Sequence, residues 1–260
     1  MGHERLGILP KTRSWINITS NLGAAIEENP EFASKLAGQT LLQVRQRYEK
    51  LKNDSGVQAA FSFLIAICSQ NLPSNVEGKF TNVDLNLESN PSPLSIAFGL
   101  TEWVEKHKDK QEYAELAARA AADTIAKWYR ENSEQNLLFE SGLTATDVWG
   151  NFSGSDFCVI SRNFFANLTE RYLKYFLERS ASELSPDLNS RKKFEQALSS
   201  FMNEVSNHAF ETSKITQSFA AGWYNKNVKN SRPADKEVAG FLKVAFGKLR
   251  EEIIIEEAKK

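Results

Sequence analysis

Phe194, Leu198, Phe201, Val205, His208, Thr212, Ile215 and Phe219 recur at alternating steps of four and three along residues 191–226. An average step of about 3.5 residues holds such a row on one side of an α-helix. The segment is therefore expected to be one long helix with a buried seam. Its 36 residues would span about 54 Å. Shorter helical patterns flank it, each with its own apolar stripe. The seam thus reads as the spine of an intramolecular bundle rather than a free dimerisation zipper, with a far end that overhangs its neighbours.

The rest of the chain repeats the helical pattern. Trp15, Ile18, Leu22, Ala25 and Ile26 form the face of a first helix starting near Ser14, a cap residue. Asn29-Pro30 opens a second, carrying Val44, Tyr48 and Leu51 and ending in Arg45, Arg47, Lys50 and Lys52. Asp54 is placed to cap a third, through Val57, Phe61, Leu64, Ile65 and Cys68. Ser92-Pro93 opens a fourth with Ile96, Leu100, Trp103 and Val104 inside. A fifth is expected over 110–130, a short one near 134–140, and another from Asp156 or Ser155 to about Arg179. The spine follows, and a last helix buries Val238, Phe241, Leu242, Ala245, Leu249 and Ile253. The expectation is all-α: a bundle of about eight mostly antiparallel helices with negligible β-structure.

Residues 73–92 break the pattern. Pro, Ser, Asn and Gly crowd their ends, and Val83, Leu85 and Leu87 alternate with Asn82, Asp84 and Asn86. An extended strap across helices is the favoured reading. Pairing with another protein's sheet edge is the alternative. The whole chain reads as one helical domain. A subdivision into a three-helix unit (1–72), the connection (73–92) and the main bundle (93–260) is the variant.

Charge narrows the classes of partner. Lys and Arg number 32 and Asp and Glu 33, a formal net charge of −1. No global field draws the chain to nucleic acid or to an anionic membrane, so such binding would need a local patch. No apolar run approaches a membrane span. The two cysteines, Cys68 and Cys158, sit in apolar stretches and read as reduced, buried side chains. With no signal-like N-terminus, a cytoplasmic location is expected.

Candidate sites are few. Glu204, His208 and Glu211 share one helical stripe, a set that could ligate a divalent metal. Helical di-metal sites add a second Glu-x-x-His element, which this chain lacks. Register-setting polar packing is the stronger reading of His208, and no cofactor is expected. The 141–156 segment gathers three glycines, hydroxyls, Trp149 and Phe152 before a helix start. Asp156 there opposes an anion. Cys158 lacks a recognisable base, and an acidic neighbour would raise its pKa. His107, in a charged helix end, is expected to be solvated.

Three readings of function follow. Trp149, Phe152, Trp223 and Tyr224 are candidate anchors for a protein partner or a second copy of the chain. The uncharged polar residues off the seam, including Gln196, Asn203 and Ser206, suggest a face that something covers. The lead expectation is a non-enzymatic subunit or adaptor working through protein–protein contacts. The alternative is a nucleic-acid-associated protein using the basic-aromatic segment 223–236, with Lys226, Lys229 and Arg232 on phosphates, helped by Arg45 and Arg47. A metal or catalytic centre at His208 is the third.

Overall fold

The computed structural model describes residues 10–25, 30–69, 93–107, 113–137, 152–181, 192, 196, 199–200, 202–203, 206, 214–228 and 232–258. Among them every regular element is helical. Eight α-helices have defined bounds among the described residues: α1 (Arg13–Ala25), α2 (Pro30–Tyr48), α3 (Ser55–Cys68), α4 (Pro93–His107), α5 (Ala114–Leu137), α6 (Gly154–Ala181), α7 (Lys214–Asn227) and α8 (Asp235–Ala258), with a 3-10 turn at Glu49–Asn53 after α2. The all-α expectation holds. None of the described helices is long and apolar enough to cross a membrane.

Local chemistry sets the helix starts. Asp54 caps α3 as expected, its carboxylate accepting from the Val57 amide at 3.0 Å. Two starts differ from expectation. The cap of α1 is Thr12, whose hydroxyl accepts from Trp15 N at 3.1 Å, and not Ser14. The cap of α6 is Ser153, and not Ser155 or Asp156. Ser153 Oγ accepts from Asp156 N at 3.3 Å, and Asp156 Oδ2 accepts from Ser153 N at 2.8 Å. This is a reciprocal capping box with an acidic third residue, so Asp156 serves from inside the first turn. Helix α5 begins at Ala114, later than expected, and runs unbroken to Leu137, absorbing the start of the short helix expected near 134–140.

Helix α3 is the centre of the molecule. From Gly56 to Cys68 only Gln58 escapes burial. Helices α4, α5 and α8 pack around α3, while α6 packs against α5, α7, α1 and α2. One hydrophobic cluster draws residues from all eight helices. Phe61 lies at its heart, with ring centroids 5.3 Å from Phe164, 5.4 Å from Phe165 and 6.2 Å from Phe157, all on α6. Phe241 of α8 stacks on Phe61 and on Phe219 of α7, each at 5.3 Å and 9°. Aromatic packing therefore ties α3, α6, α7 and α8 together.

Polar pairs set the register of the α5–α6 contact. Lys127 Nζ donates to Asn163 Oδ1 at 3.2 Å, and Asn167 Nδ2 to Thr124 Oγ1 at 3.1 Å. Arg171 pairs with Asp123. These groups would be stranded if one helix slid by a turn.

Most of the spine seam lies outside the described residues: Phe194, Leu198, Phe201, Val205, His208 and Thr212. Its described part is α7, where Phe219 is half-buried. Residues 73–92 also lie outside the described set. Ser206 bears on the covered polar face. It is fully buried, and its hydroxyl donates to the Arg162 carbonyl at 2.8 Å. At that position the cover is the chain's own α6.

Candidate functional site

Three of the four aromatic residues singled out as anchors converge where the start of α6 meets α7 and α8. The Ser153 capping box aims α6 so that Phe152, just before it, and Phe157, one turn in, both reach Tyr224, at 5.9 and 5.2 Å. Phe152 also packs on Trp128 of α5 at 5.4 Å. Trp223 stacks on Phe157 at 5.5 Å and lies 4.8 Å from Phe241. Gly154 permits the close approach of α6 to α7, since a Cβ there would stand 3.1 Å from the Ala221 carbonyl oxygen.

Tyr224 is 5% exposed. Its hydroxyl reaches the carbonyls of Cys68 at 3.2 Å and Phe152 at 3.4 Å, so both ring and hydroxyl are directed into the fold. Phe152 and Trp223 are half-buried in the same cluster. Trp149 lies outside the described residues.

This junction controls the ionisation of its acids. Burial pushes the Tyr224 phenol up to about 12, reinforced by the negative forms of Cys68 and Asp156. Burial also raises Tyr48, against a hydrogen bond to Thr169 that favours its ionised form. Unfolded tyrosine ionises near pH 10. Folded Tyr224 therefore keeps a proton that the unfolded chain releases. The resulting stability is whole below about pH 10 and is lost as pH rises toward about 12. The expected outcome is a urea midpoint that falls across that window and falls less steeply in Tyr224→Phe. Equal slopes in the two proteins would contradict the assignment.

The cysteines are chemically quiet. Both are buried, and they form no disulfide. Burial raises the Cys158 thiol, and Arg162 opposes the shift. The carboxylate of Asp156 acts on Cys68 instead, adding to a rise that burial dominates. The acidic neighbour expected to suppress Cys158 thus suppresses the other thiol. His107, expected in solvent, is half-buried against Trp103, with ring centroids 3.6 Å apart and Nδ1 2.9 Å from the Trp103 carbonyl oxygen.

The basic candidates are spread out. Lys226 is exposed in the last turn of α7, Arg232 is half-buried before α8, and Lys229 lies outside the described residues. Desolvation lowers the Arg232 pKa from its ordinary value. Arg45 is exposed and Arg47 half-buried near the end of α2. That end meets the middle of α8, where Tyr48 packs on Phe246 and Glu49 pairs with Arg250. Arg232, just before α8, thus lies on the order of 15 Å along the helix axis from the end of α2. Glu204, His208 and Glu211 lie outside the described residues.

The structure also exposes large apolar residues that sequence reasoning left unassigned. Leu94 and Phe98, one turn apart on α4, are 66% and 68% exposed. Both fall off the buried row Ile96, Leu100, Trp103 and Val104, and that displacement was their signal. Val244 and Ile255 on α8 are 38% and 44% exposed. No family model, no curated protein and no solved structure matches the chain.

Proposed function

We propose that this chain is a non-enzymatic helical subunit or adaptor acting through protein–protein contacts. The observation that carries the reading is the Leu94–Phe98 pair, two large apolar side chains held side by side in solvent on a helix whose opposite face is locked into the core. Trp103, on that inner face, donates from Nε1 to the Ala59 carbonyl of α3 at 3.2 Å, which holds α4 in place. A rigid helix presenting an aromatic and an aliphatic residue at i and i+4 suits a partner with an apolar groove. Burying the two would contribute about 1.5–3 kcal/mol each, and an aromatic anchor of this kind dominates many interfaces. Cys68 and Cys158 form no disulfide, which fits a reducing compartment, so the proposed location is cytoplasmic.

The test uses the full chain as bait in its native extract, with cross-linking to locate the contact. Expected is a defined partner cross-linked to α4, retained by wild type and lost by at least about tenfold with Phe98→Asp. Phe98 is exposed, so the variant keeps the wild-type helical signal and melting temperature. Capture that Phe98→Asp leaves unchanged, or no partner at all, overturns the proposal.

A further inference from the structure

We infer that the solvent face of α8 is a contact between two copies of this chain, crossing antiparallel about Gly247. The inference goes beyond the adaptor reading, because it concerns a different surface and a different partner. Helix α8 buries Val238, Phe241, Leu242, Ala245, Leu249 and Ile253 on one side. The opposite side carries Lys236, Gly240, Lys243, Gly247 and Glu251 at steps of four, three, four and four, bordered by the exposed Val244 and Ile255.

Charge order along this face selects the partner. Lys236 and Lys243 precede Gly247, and Glu251 follows it. Two copies laid parallel would set Lys243 against Lys243. A two-fold axis at Gly247 instead sets Lys243 of each copy against Glu251 of the other, since each stands four residues from the axis. The pair therefore forms twice, as an isologous contact requires. The same operation brings the Ile254–Ile255 pair of one copy, seven and eight residues past the axis, over Gly240 of the other, seven residues before it.

The glycines supply the room. Among the described residues, a Cβ at Gly240 or at Gly247 would meet nothing within 4 Å. Packing among the described residues thus has no use for either glycine, although each costs about 1 kcal/mol of helix stability relative to Ala. A second helix crossing at Gly247 would use the space, bringing the two backbones closer than the usual 8–10 Å between axes. One helix pair buries less than the about 1,200–2,000 Å² of a standard interface. The dimer is accordingly weak, concentration-dependent and sensitive to salt.

Sedimentation velocity on the full chain, from about 10 μM to about 1 mM and at low and high salt, tests this. The expected result is a monomer–dimer equilibrium that shifts toward monomer in salt. Gly247→Gln is expected to weaken it by more than about tenfold while leaving the melting temperature of the monomer equal or higher, because the added side chain enters open space. Lys243→Glu and Glu251→Lys each weaken it, and the double exchange restores it. A monomer throughout the range, a dimer indifferent to Gly247→Gln, or a double exchange no better than the singles overturns the inference. A monomeric chain that still captures a partner through Phe98 overturns the dimer alone and leaves the adaptor reading standing.

Discussion

Phe61→Ala is expected to destabilise the fold by about 3–5 kcal/mol, the range for removing a fully buried ring. The position is unusually costly to empty because its neighbours come from separate elements. Phe164, Phe165 and Phe157 belong to α6, and Phe241 belongs to α8. Collapse into the cavity would require one of these helices to move. Each is pinned elsewhere, α6 by the Asn163 and Asn167 hydrogen bonds to α5, and α8 by Arg250 pairing with Glu49. Partial relaxation leaves most of the void, so the cavity contribution adds to the lost transfer energy. For a chain of this size the loss corresponds to a melting temperature lower by roughly 10 °C. Phe61→Leu retains part of the volume and is expected to lose less than half as much. Chemical denaturation of the three proteins checks both values. A loss below about 1 kcal/mol for Phe61→Ala would show that the packing around it can close.

Gly56→Ala is the second large effect, and it reverses the usual sign of a helical Gly→Ala change. The added Cβ would stand 2.5 Å from Ala114 Cα and 3.0 Å from Ala114 N, both backbone atoms of α5. Backbone cannot swing aside as a flexible side chain does, so α3 and α5 must separate where they meet. Overpacking of this kind costs about 1–3 kcal/mol, enough to exceed the helix-propensity gain of at most about 1 kcal/mol. Gly240→Ala and Gly247→Ala provide the control. Their Cβ atoms meet open space, so each is expected to stabilise the monomer by up to about 1 kcal/mol. Thermal melts of the three variants should therefore move in opposite directions. A Gly56→Ala protein as stable as wild type would mean that α3 and α5 do not approach as closely as described.

What could be read from the chain alone follows the range of the interactions concerned. Asp54 could be assigned as a cap because its partner, Val57 N, is three residues away. The start of α6 reads from the sequence as Asp156 or Ser155, although the cap that forms, Ser153, is equally local. Three cap-forming residues, Ser153, Ser155 and Asp156, compete there, and only the backbone path decides which carboxylate or hydroxyl meets which amide. The buried rows of α4 and α8 were legible in the same way. A period of 3.6 residues separates Ile96, Leu100, Trp103 and Val104 from Leu94 and Phe98 without reference to any other helix.

The candidate site was less legible because its residues depend on distant ones. Trp223 and Tyr224 have the composition of surface anchors, and a helix end beside lysines suggested exposure. Tyr224 instead finds its carbonyl partner at Cys68, 156 positions earlier in the chain, and packs on Phe152, 72 positions away. No local pattern announces such a meeting. The Asp156 carboxylate shows the same limit. Sequence proximity pointed to Cys158, but the carboxylate's charge acts on the Cys68 thiol of α3.

Local spacing along the chain makes this protein helical, sets where most of its helices begin and end, and selects the stripe of α4 and α8 that faces inward. Those properties rest on hydrogen bonds and side-chain spacings within a turn or two. Tertiary structure alone decided which aromatic residues are spent on the core, that Gly56 is indispensable to a helix contact while Gly247 faces open space, and that Leu94 and Phe98 remain uncovered. Each of these depends on what another helix places opposite the residue, and that is set by packing across the whole chain.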